Sequence, residues 1–299
     1  MNHAPEDIPV PGLDPVAAER WLARIRDQSP WLHEEVARRM IDRLQWFRDP
    51  PASWLHWEPV LGGLQAHRTL AERLPAARCQ VAAHDTPRAL EATREPARRS
   101  WNPLQWKRGH VAAGVDTPVA MLWANMALHQ VARPQPLLRQ WHGQIQTDGF
   151  LMFSCLGPDS LRELRAVYAR AGWPDPAHAF TDMHDWGDML VHNGFAEPVM
   201  DMERISLSYS GAGPLLDELR SLGRNLNTAR FGALRGRAWR QELEQAIDQG
   251  LPRSEDGRLL LTFEVIYGHA FKAAPRPPRG DSQSVSMDEM RAMLRDRRS

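Results

Sequence analysis

Residues 118–157 constrain the fold of this chain more than any other stretch, because they form a strand, helix, strand pattern. Residues 119–123 are a short, almost wholly apolar run, typical of a strand buried on both faces of a parallel sheet. Apolar residues then recur at helical spacing, namely Leu137, Leu138, Trp141 and Ile145. Asp148 and Gly149 turn the chain into a second apolar strand at 150–154. The stretch is therefore predicted to be one βαβ unit.

The flanking sequence repeats this alternation. A second βαβ unit is predicted from a strand at 56–61, a helix at 64–74 and a strand at 79–83. Two further strands are predicted at 199–210 and 258–267, with helical segments between them. This order predicts an α/β fold with a mostly parallel sheet, an antiparallel last strand and helices on both faces. Such sheets bind ligands at the edge formed by the carboxyl ends of their strands.

The domain organisation follows from where these patterns begin and end. Residues 1–13 contain prolines and are predicted to be a flexible arm, and residues 14–272 are predicted to be a single domain. Its first part, 14–50, is helical, and Asp14 before a proline has the character of a helix N-cap. The Pro- and Arg-rich segment 273–299 is predicted to be a mostly disordered tail.

Composition restricts the classes of function. The formal net charge is zero, from 37 basic and 37 acidic residues, so no overall field attracts the chain to nucleic acid or to a membrane. The N-terminus lacks a secretion signal and no apolar run is long enough to span a bilayer, so we expect a cytoplasmic protein. Cys79 and Cys155 are isolated, which predicts neither a disulfide framework nor a metal site.

Three motifs carry a resemblance to a known family. They are FSCLGPDSLRELR at 153–165, FTDMHDWGDMLVHNGFAEPVMDMERISLSY at 180–209 and FEVIYGHAFK at 263–272. In this order they closely resemble the malonyl-acyl-carrier-protein O-methyltransferases of biotin synthesis, and the likeness extends over most of residues 15–272. The resemblance implies a Rossmann-like class I methyltransferase fold. It also implies transfer of a methyl group from S-adenosylmethionine to the free carboxylate of a malonyl thioester on acyl carrier protein.

The resemblance places the cofactor loop directly after the first strand, but the sequence there departs from the family pattern. Glu58 falls at the acidic position, whereas Val60 and Leu64 replace two glycines. Only Gly62 remains, beside Gly63, so a plain turn is the alternative interpretation. A side chain at either replaced position would restrict the turn or occupy the space of the cofactor.

Two more residues are cofactor candidates. Asp85, at the end of the second strand, is placed to accept the ribose hydroxyls, or else it caps the next helix. Asn125 follows the next central strand at the ligand edge, where it either contacts the cofactor or forms a turn. A further departure concerns the N-terminal helix, where Arg26 and Asp27 stand in place of the family's Tyr-Asp pair.

By the same resemblance, His184 and Asp185 are the catalytic candidates, in a helix that would cover the substrate. His184 could donate a hydrogen bond to the malonyl carboxylate. The alternative is structural, with Asp182 and Asp185 stabilising the helix N-terminus and His184 packed in the core. As metal ligands these residues lack a shared face.

Residues 219–241 contain several arginines and no acidic residue. Arginine pairs well with carboxylates and phosphates, and acyl carrier proteins are acidic, so this stretch is a candidate docking surface. A solvated basic face is the alternative, and nucleic acid is disfavoured because no recognition motif accompanies the arginines. The predicted docking residues are Arg224, Arg230, Arg235, Arg237 and Arg240.

Three functions remain open at this level. The first is the carrier-protein methyltransferase, and the second is a carboxyl methyltransferase with a different acid substrate. The third is a non-catalytic relative that kept the fold and a binding or regulatory role. The degenerate glycine loop favours the third, whereas the three motifs favour the first.

Overall fold

A computed structural model describes residues 10–94, 112–113 and 117–274. Its seven strands are β1 Ser53–Trp57, β2 Arg78–Ala82, β3 Ala112–Ala113, β4 Val119–Ala124, β5 Ile145–Leu156, β6 Ala196–Tyr209 and β7 Leu259–Phe271. They form one sheet in the order β3-β2-β1-β4-β5-β7-β6. Neighbours among β1 to β5 are parallel, whereas β7 is antiparallel to both β5 and β6. The predicted α/β fold with an antiparallel last strand is confirmed.

The helices lie on both faces of this sheet. In chain order they are α1 Pro15–Leu22, α2 Trp31–Arg43, α3 Pro59–Gly62, α4 Leu64–Arg73, α5 Thr86–Thr93, α6 Pro134–Gln144, α7 Arg162–Arg170, α8 Met183–His192, α9 Ala212–Leu222 and α10 Arg237–Gly250. Short 3-10 helices occupy Leu44–Trp46 and Leu128–Gln130. The predicted βαβ unit is confirmed as β4, α6 and β5, whose two strands are parallel neighbours.

Alternation along the central strands divides the core between the two faces. Met121 and Trp123 of β4 pack in the cluster that includes α2, α4, α7, α9 and α10. Leu122 and Ala124 point to the opposite face, where α6 and α8 cover the sheet. Because strand side chains alternate, a strand with helices on both faces must be apolar throughout, which explains the unbroken apolar run in β4.

Asp14 caps α1 as predicted, since its Oδ1 accepts hydrogen bonds from the N–H groups of Val16 and Ala17. Asp182 caps α8 in the same way. In both helices a short acidic side chain satisfies backbone donors that have no partner within the helix. These local signals were readable in the sequence.

Several predicted boundaries differ from the structure: β5 begins at Ile145, before the strand predicted at 150–154, and β7 continues to Phe271, beyond the predicted end at 267. The strand expected at 56–61 ends at Trp57, because Glu58 adopts a left-handed φ of 52° and Pro59 starts α3. Residues 10–13, assigned to the flexible arm, are held by the core: Leu13 is buried and bridges to Asn227. Residues 1–9 of that arm and 275–299 of the predicted tail lie outside the described residues.

Candidate functional site

A cavity of about 640 Å³ opens at the carboxyl ends of β4 and β5. Leu156 ends β5, and His129 and Gln130 lie shortly after β4. The apolar part of the lining also includes Leu161, Leu164, Phe180, Leu216, Leu219, Leu222, Leu226, Trp239, Leu243 and Phe263. Such a volume with mostly apolar walls is typical of a site for a small molecule or a cofactor arm.

Arginines from the predicted docking stretch line this cavity. They are Arg220, Arg224, Arg235, Arg237 and Arg240. Arg235 stacks on Trp239 at 4.0 Å from guanidinium carbon to ring centroid, and Arg240 pairs with Glu244 at 2.7 Å. The structure therefore brings four of the five predicted docking arginines to one apolar cavity and adds Arg220.

Arg230, the fifth predicted docking residue, has a different environment. Its guanidinium pairs with Asp14 at 2.8 Å, and the same carboxylate caps α1. The hydrogen bond from Arg230, with those from the helix N–H groups, holds the pKa of Asp14 below its ordinary value. Arg230 thus links α1 to the segment before α10, and it does not line the cavity.

Positive charge also collects around Trp21, beside the cavity. The guanidinium carbons of Arg26, Arg224 and Arg24 lie 4.1, 5.2 and 6.0 Å from its ring centroid. Burial, followed by the charge of Arg24, lowers the pKa of Arg224. Arg26 and Arg224 donate to backbone carbonyls, which leaves their positive charges in place, so this group would attract an anion.

The polar wall of the cavity has a defined hydrogen-bond pattern. The Trp21 indole N–H can only donate, and it donates to Gln130 Oε1 at 2.6 Å, which orients the carboxamide. Gln130 Nε2 therefore donates to His129 Nε2 at 3.1 Å. The neutral His129 ring then carries its proton on Nδ1, a buried atom for which the described residues provide no partner. Sequence reasoning missed His129, whose only signal was its position shortly after a central strand.

His184 and Asp185, the predicted catalytic pair, lie in the first turn of α8 at the same edge of the sheet. Both side chains are exposed, and their backbone N–H groups donate to Asp182. Neither residue lines the cavity among the residues that the structure describes. Their catalytic role stays a prediction, and the alternative that packs His184 in the core is wrong, because its side chain is exposed.

The segment from Glu58 to Ala66 holds the predicted cofactor loop, and five of its backbone donors, the N–H groups of residues 62–66, have partners inside the chain. The N–H groups of Gly62 and Gly63 donate to the carbonyls of Glu58 and Pro59, at 2.7 and 2.9 Å. The next three donors point at side chains from outside the segment. Leu64 N–H donates to Ser29 Oγ at 2.8 Å, Gln65 N–H to Glu34 Oε1 at 2.9 Å and Ala66 N–H to Glu34 Oε2 at 3.0 Å.

Asn125 is buried at the ligand edge and is fully engaged within the protein. Its Nδ2 donates to the carbonyls of His33, at 2.8 Å, and of Gly62. Its Oδ1 accepts from Ser154 Oγ at 2.6 Å. A Cβ on Gly62 would come within 3.1 Å of the Asn125 carbonyl oxygen. Asn125 therefore clamps α3 against β4, and its predicted role in cofactor contact stays untested.

The two predicted acidic cofactor residues have different environments in the structure. Glu58 is half-buried, accepts a hydrogen bond from His84 N–H at 2.5 Å, and desolvation raises its pKa. Asp85 is exposed and caps α5 by accepting from Arg88 N–H at 3.1 Å. The helix-cap alternative for Asp85 is thus observed, and a ribose contact through its other oxygen stays a prediction.

S-adenosylmethionine, the cofactor that the resemblance implies, would need free backbone donors in this segment for its methionine part. All five consecutive N–H groups from Gly62 to Ala66 are instead bonded within the chain. None of residues 58–66 lines the 640 Å³ cavity in the described part of the chain. In the conformation described, residues 62–66 therefore offer no free backbone donor to the methionine part of the cofactor.

Neither a metal-binding group nor a membrane-spanning helix is found among the described residues. No group of three or more histidine, cysteine, aspartate or glutamate side chains in residues 10–94, 112–113 and 117–274 could hold a metal ion. Within the same ranges, the helices are all too short or too polar to cross a membrane. Cys79 and Cys155 are both buried free thiols.

No protein-family model matches the chain. Several individual proteins do. A malonyl-[acyl-carrier protein] O-methyltransferase of Gallionella capsiferriformans is 38% identical over 263 residues, covering 85% of this chain and 88% of the relative. The enzyme of the same name from Laribacter hongkongensis is also 38% identical, covering 85% and 86%. That of Halorhodospira halophila is 30% identical over 293 residues, covering 94% and 93%.

Solved structures resemble the fold at low sequence identity. A candidate methyltransferase of Bacillus halodurans has a TM-score of 0.51 at 11% identity, covering 80% of this chain and 100% of that one. The YcgJ protein of Bacillus subtilis has a TM-score of 0.50 at 10% identity, with the same coverage. The structural likeness supports the fold, and the sequence identity over most of both chains shows the family. This chain belongs to the malonyl-[acyl-carrier protein] O-methyltransferase family.

Proposed function

We propose that this protein transfers a methyl group from S-adenosylmethionine to the free carboxylate of malonyl-acyl-carrier protein, as a cytoplasmic step of biotin synthesis. The observation that carries this proposal is the arginine-lined apolar cavity at the ligand edge, in a chain whose relatives bear that name. The apolar walls suit a carrier's extended thioester arm, and the arginines suit its acidic surface.

The reaction requires little acid or base chemistry from the protein. A malonyl carboxylate is already ionised at pH 7, so its oxygen is a nucleophile without the help of a general base. The protein must hold this oxygen in line with the methyl group and exclude water. An exposed His184 and a cavity whose described lining holds no catalytic triad are compatible with such a reaction.

The charges around the cavity support the choice of substrate. Arg235 and Arg237 lie at the start of α10 or just before it, and both line the cavity. Arg224 lines it as well and stands beside Trp21, where two further guanidinium groups gather. This arrangement could receive acidic side chains of the carrier and an anionic group of the arm through charge-assisted hydrogen bonds.

The test uses the full chain, S-adenosylmethionine and malonyl-acyl-carrier protein, with methyl transfer followed by mass spectrometry of the carrier. Acetyl-acyl-carrier protein, which lacks the free carboxylate, is the matched control. We expect methylation of the malonyl carrier only. A Leu219→Trp variant, which fills the cavity, should lose this activity while keeping the circular dichroism of the wild type.

Absence of methyl transfer to the malonyl carrier would contradict the proposal. If the carrier still bound under those conditions, the chain would be assigned to the non-catalytic binding role. If free malonyl thioesters were methylated as fast as the carrier-bound form, the carrier would be excluded as a specific partner.

A further inference from the structure

The backbone donors at the start of α4 already have a carboxylate ligand, and it belongs to the chain itself. Glu34 accepts with both oxygens from consecutive N–H groups, those of Gln65 and Ala66, at 2.9 and 3.0 Å. A helix N-terminus binds carboxylates because its first N–H groups have no partner in the helix and carry partial positive charge. Glu34 uses this property as an amino-acid carboxylate would.

Glu34 is held in place by the element that carries it. Its neighbours Leu32 and Val36 in α2 are fully buried in the main core. Glu34 Oε2 also lies against Gly63, where an added Cβ would come within 3.0 Å of it. Release of these donors therefore requires rotation of the Glu34 side chain or movement of the start of α2.

A second clamp acts on the preceding turn. Ser29 Oγ accepts from Leu64 N–H at 2.8 Å and donates to the Val60 carbonyl at 2.9 Å. The His33 ring donates from Nδ1 to the Leu61 carbonyl at 2.7 Å. Side chains of residues 29–34 thus bind both donors and carbonyls of the loop. The two replaced glycines alone therefore do not explain why the backbone donors of the loop are occupied.

We propose that Glu34 competes with the carboxylate of S-adenosylmethionine for the N–H groups of Gln65 and Ala66. The identity of the competing ligand rests on the proposed function. The cofactor binds weakly while Glu34 accepts from these two donors, because the two carboxylates carry the same charge and would occupy the same place. Displacing Glu34 frees two donors together and removes this repulsion.

Two probes separate this competition from other defects of the cofactor site. S-adenosylhomocysteine carries the amino-acid carboxylate, whereas 5′-methylthioadenosine keeps the nucleoside and the sulfur but lacks that carboxylate. Loss of the Glu34 side chain should therefore strengthen binding of the first probe and leave the second almost unchanged.

The experiment is isothermal titration of both probes into the wild type, Glu34→Ala and Glu34→Gln. Two freed donors correspond to a gain of roughly ten- to a hundred-fold in affinity for S-adenosylhomocysteine in Glu34→Ala. Glu34→Gln should lie between, because its side chain keeps one acceptor oxygen. Glu35→Ala is the matched control, since Glu35 lies on the same helix but pairs with Arg38 and Arg39.

Circular dichroism and thermal unfolding of each variant show whether α4 still folds without its cap. Equal affinity of the wild type and Glu34→Ala for S-adenosylhomocysteine, at any level including no binding by either, would overturn the competition. So would an equal gain for both probes. Methyl transfer by the wild type is measured separately. The competition can therefore be contradicted while the proposed function stands, and the proposed function can be contradicted while the competition stands.

Discussion

At the scale of single residues, Asn125 does most to define the ligand edge. Its carboxamide joins the start of α2, the end of α3 and β5 through His33, Gly62 and Ser154. All of these contacts are buried, where a polar group without a partner is costly. The residue that was predicted either to contact the cofactor or to form a turn is therefore a structural clamp, and its contact with the cofactor stays a prediction.

Replacing Asn125 with Ala should destabilise the fold by about 3 kcal/mol, because it leaves two carbonyls and one hydroxyl without their partner in the interior. Urea unfolding of the variant and the wild type measures this difference. Asn225→Ala is the control, since Asn225 is only partly buried and should cost about 1 kcal/mol. Equal losses in the two variants would contradict the clamp.

At the scale of elements, the segment that joins α9 to α10 combines two roles that its sequence does not distinguish. Arg230 is tied to Asp14 and holds α1 in place. Arg224, Arg235 and Arg237 line the cavity. An arginine-rich stretch therefore contains both a structural ion pair and a candidate docking surface, and only contacts with distant elements separate them.

Changing Arg224, Arg235 and Arg237 together to Glu should weaken binding of acyl carrier protein by at least tenfold. The wild-type affinity should fall steeply with added salt, and this dependence should shrink in the variant, because screened charge pairs supply it. Surface plasmon resonance at several salt concentrations measures both effects.

The control for this prediction changes Arg48, Arg68 and Arg94 to Glu. These three arginines are exposed and do not line the cavity, so the variant has the same net charge but an intact candidate surface. If both triple variants lose affinity equally, the effect comes from net charge alone and the docking surface is rejected.

At the scale of the whole molecule, the described core contains five buried histidines. They are His33, His56, His67, His129 and His178. His56 and His67 face each other, with their Nδ1 atoms 3.0 Å apart. Burial disfavours the charged imidazolium, so each of the five has a lowered pKa. The folded state requires them neutral.

This burial makes stability depend on pH in a defined direction. The pKa of His33 and that of His67 are both lowered from 6.5 to about 4, with burial as the main cause. Below pH 6.5 these histidines bind protons in the unfolded chain but not in the folded chain. Their full contribution to the free energy of unfolding is therefore present above pH 6.5 and is lost as the pH falls toward 4. Each of the two should account for about 2 kcal/mol at pH 5.

His33→Asn tests this, because an Asn amide can still donate to the Leu61 carbonyl but does not titrate. The unfolding free energy of the variant, measured in urea, should fall by about 2 kcal/mol less than that of the wild type between pH 7.5 and pH 5. Parallel pH profiles for the two proteins would show that His33 does not contribute to the acid limb.

Local features of the sequence determined the architecture. Apolar runs, helical spacing and N-cap residues depend on neighbours within a few positions, so β4, α6 and β5, and the caps at Asp14 and Asp182, could be predicted. The arginine cluster at 219–241 was visible for the same reason, because its charges lie close together in the chain, and its docking role stays a prediction. The left-handed turn at Glu58 could not be found this way, since the apolar residues after Trp57 resemble a continuing strand.

Only the tertiary structure decided which side chains form hydrogen bonds with the predicted cofactor loop. Glu34 lies about thirty positions before the donors that it caps, and Asn125 lies about sixty positions after Gly62, and no spacing rule connects them. The cavity likewise combines residues after β4, from α7 and from α9 and α10. Hydrogen-bond partners at such separations are set by the packing of helices on the sheet, which brings together side chains that the sequence keeps far apart.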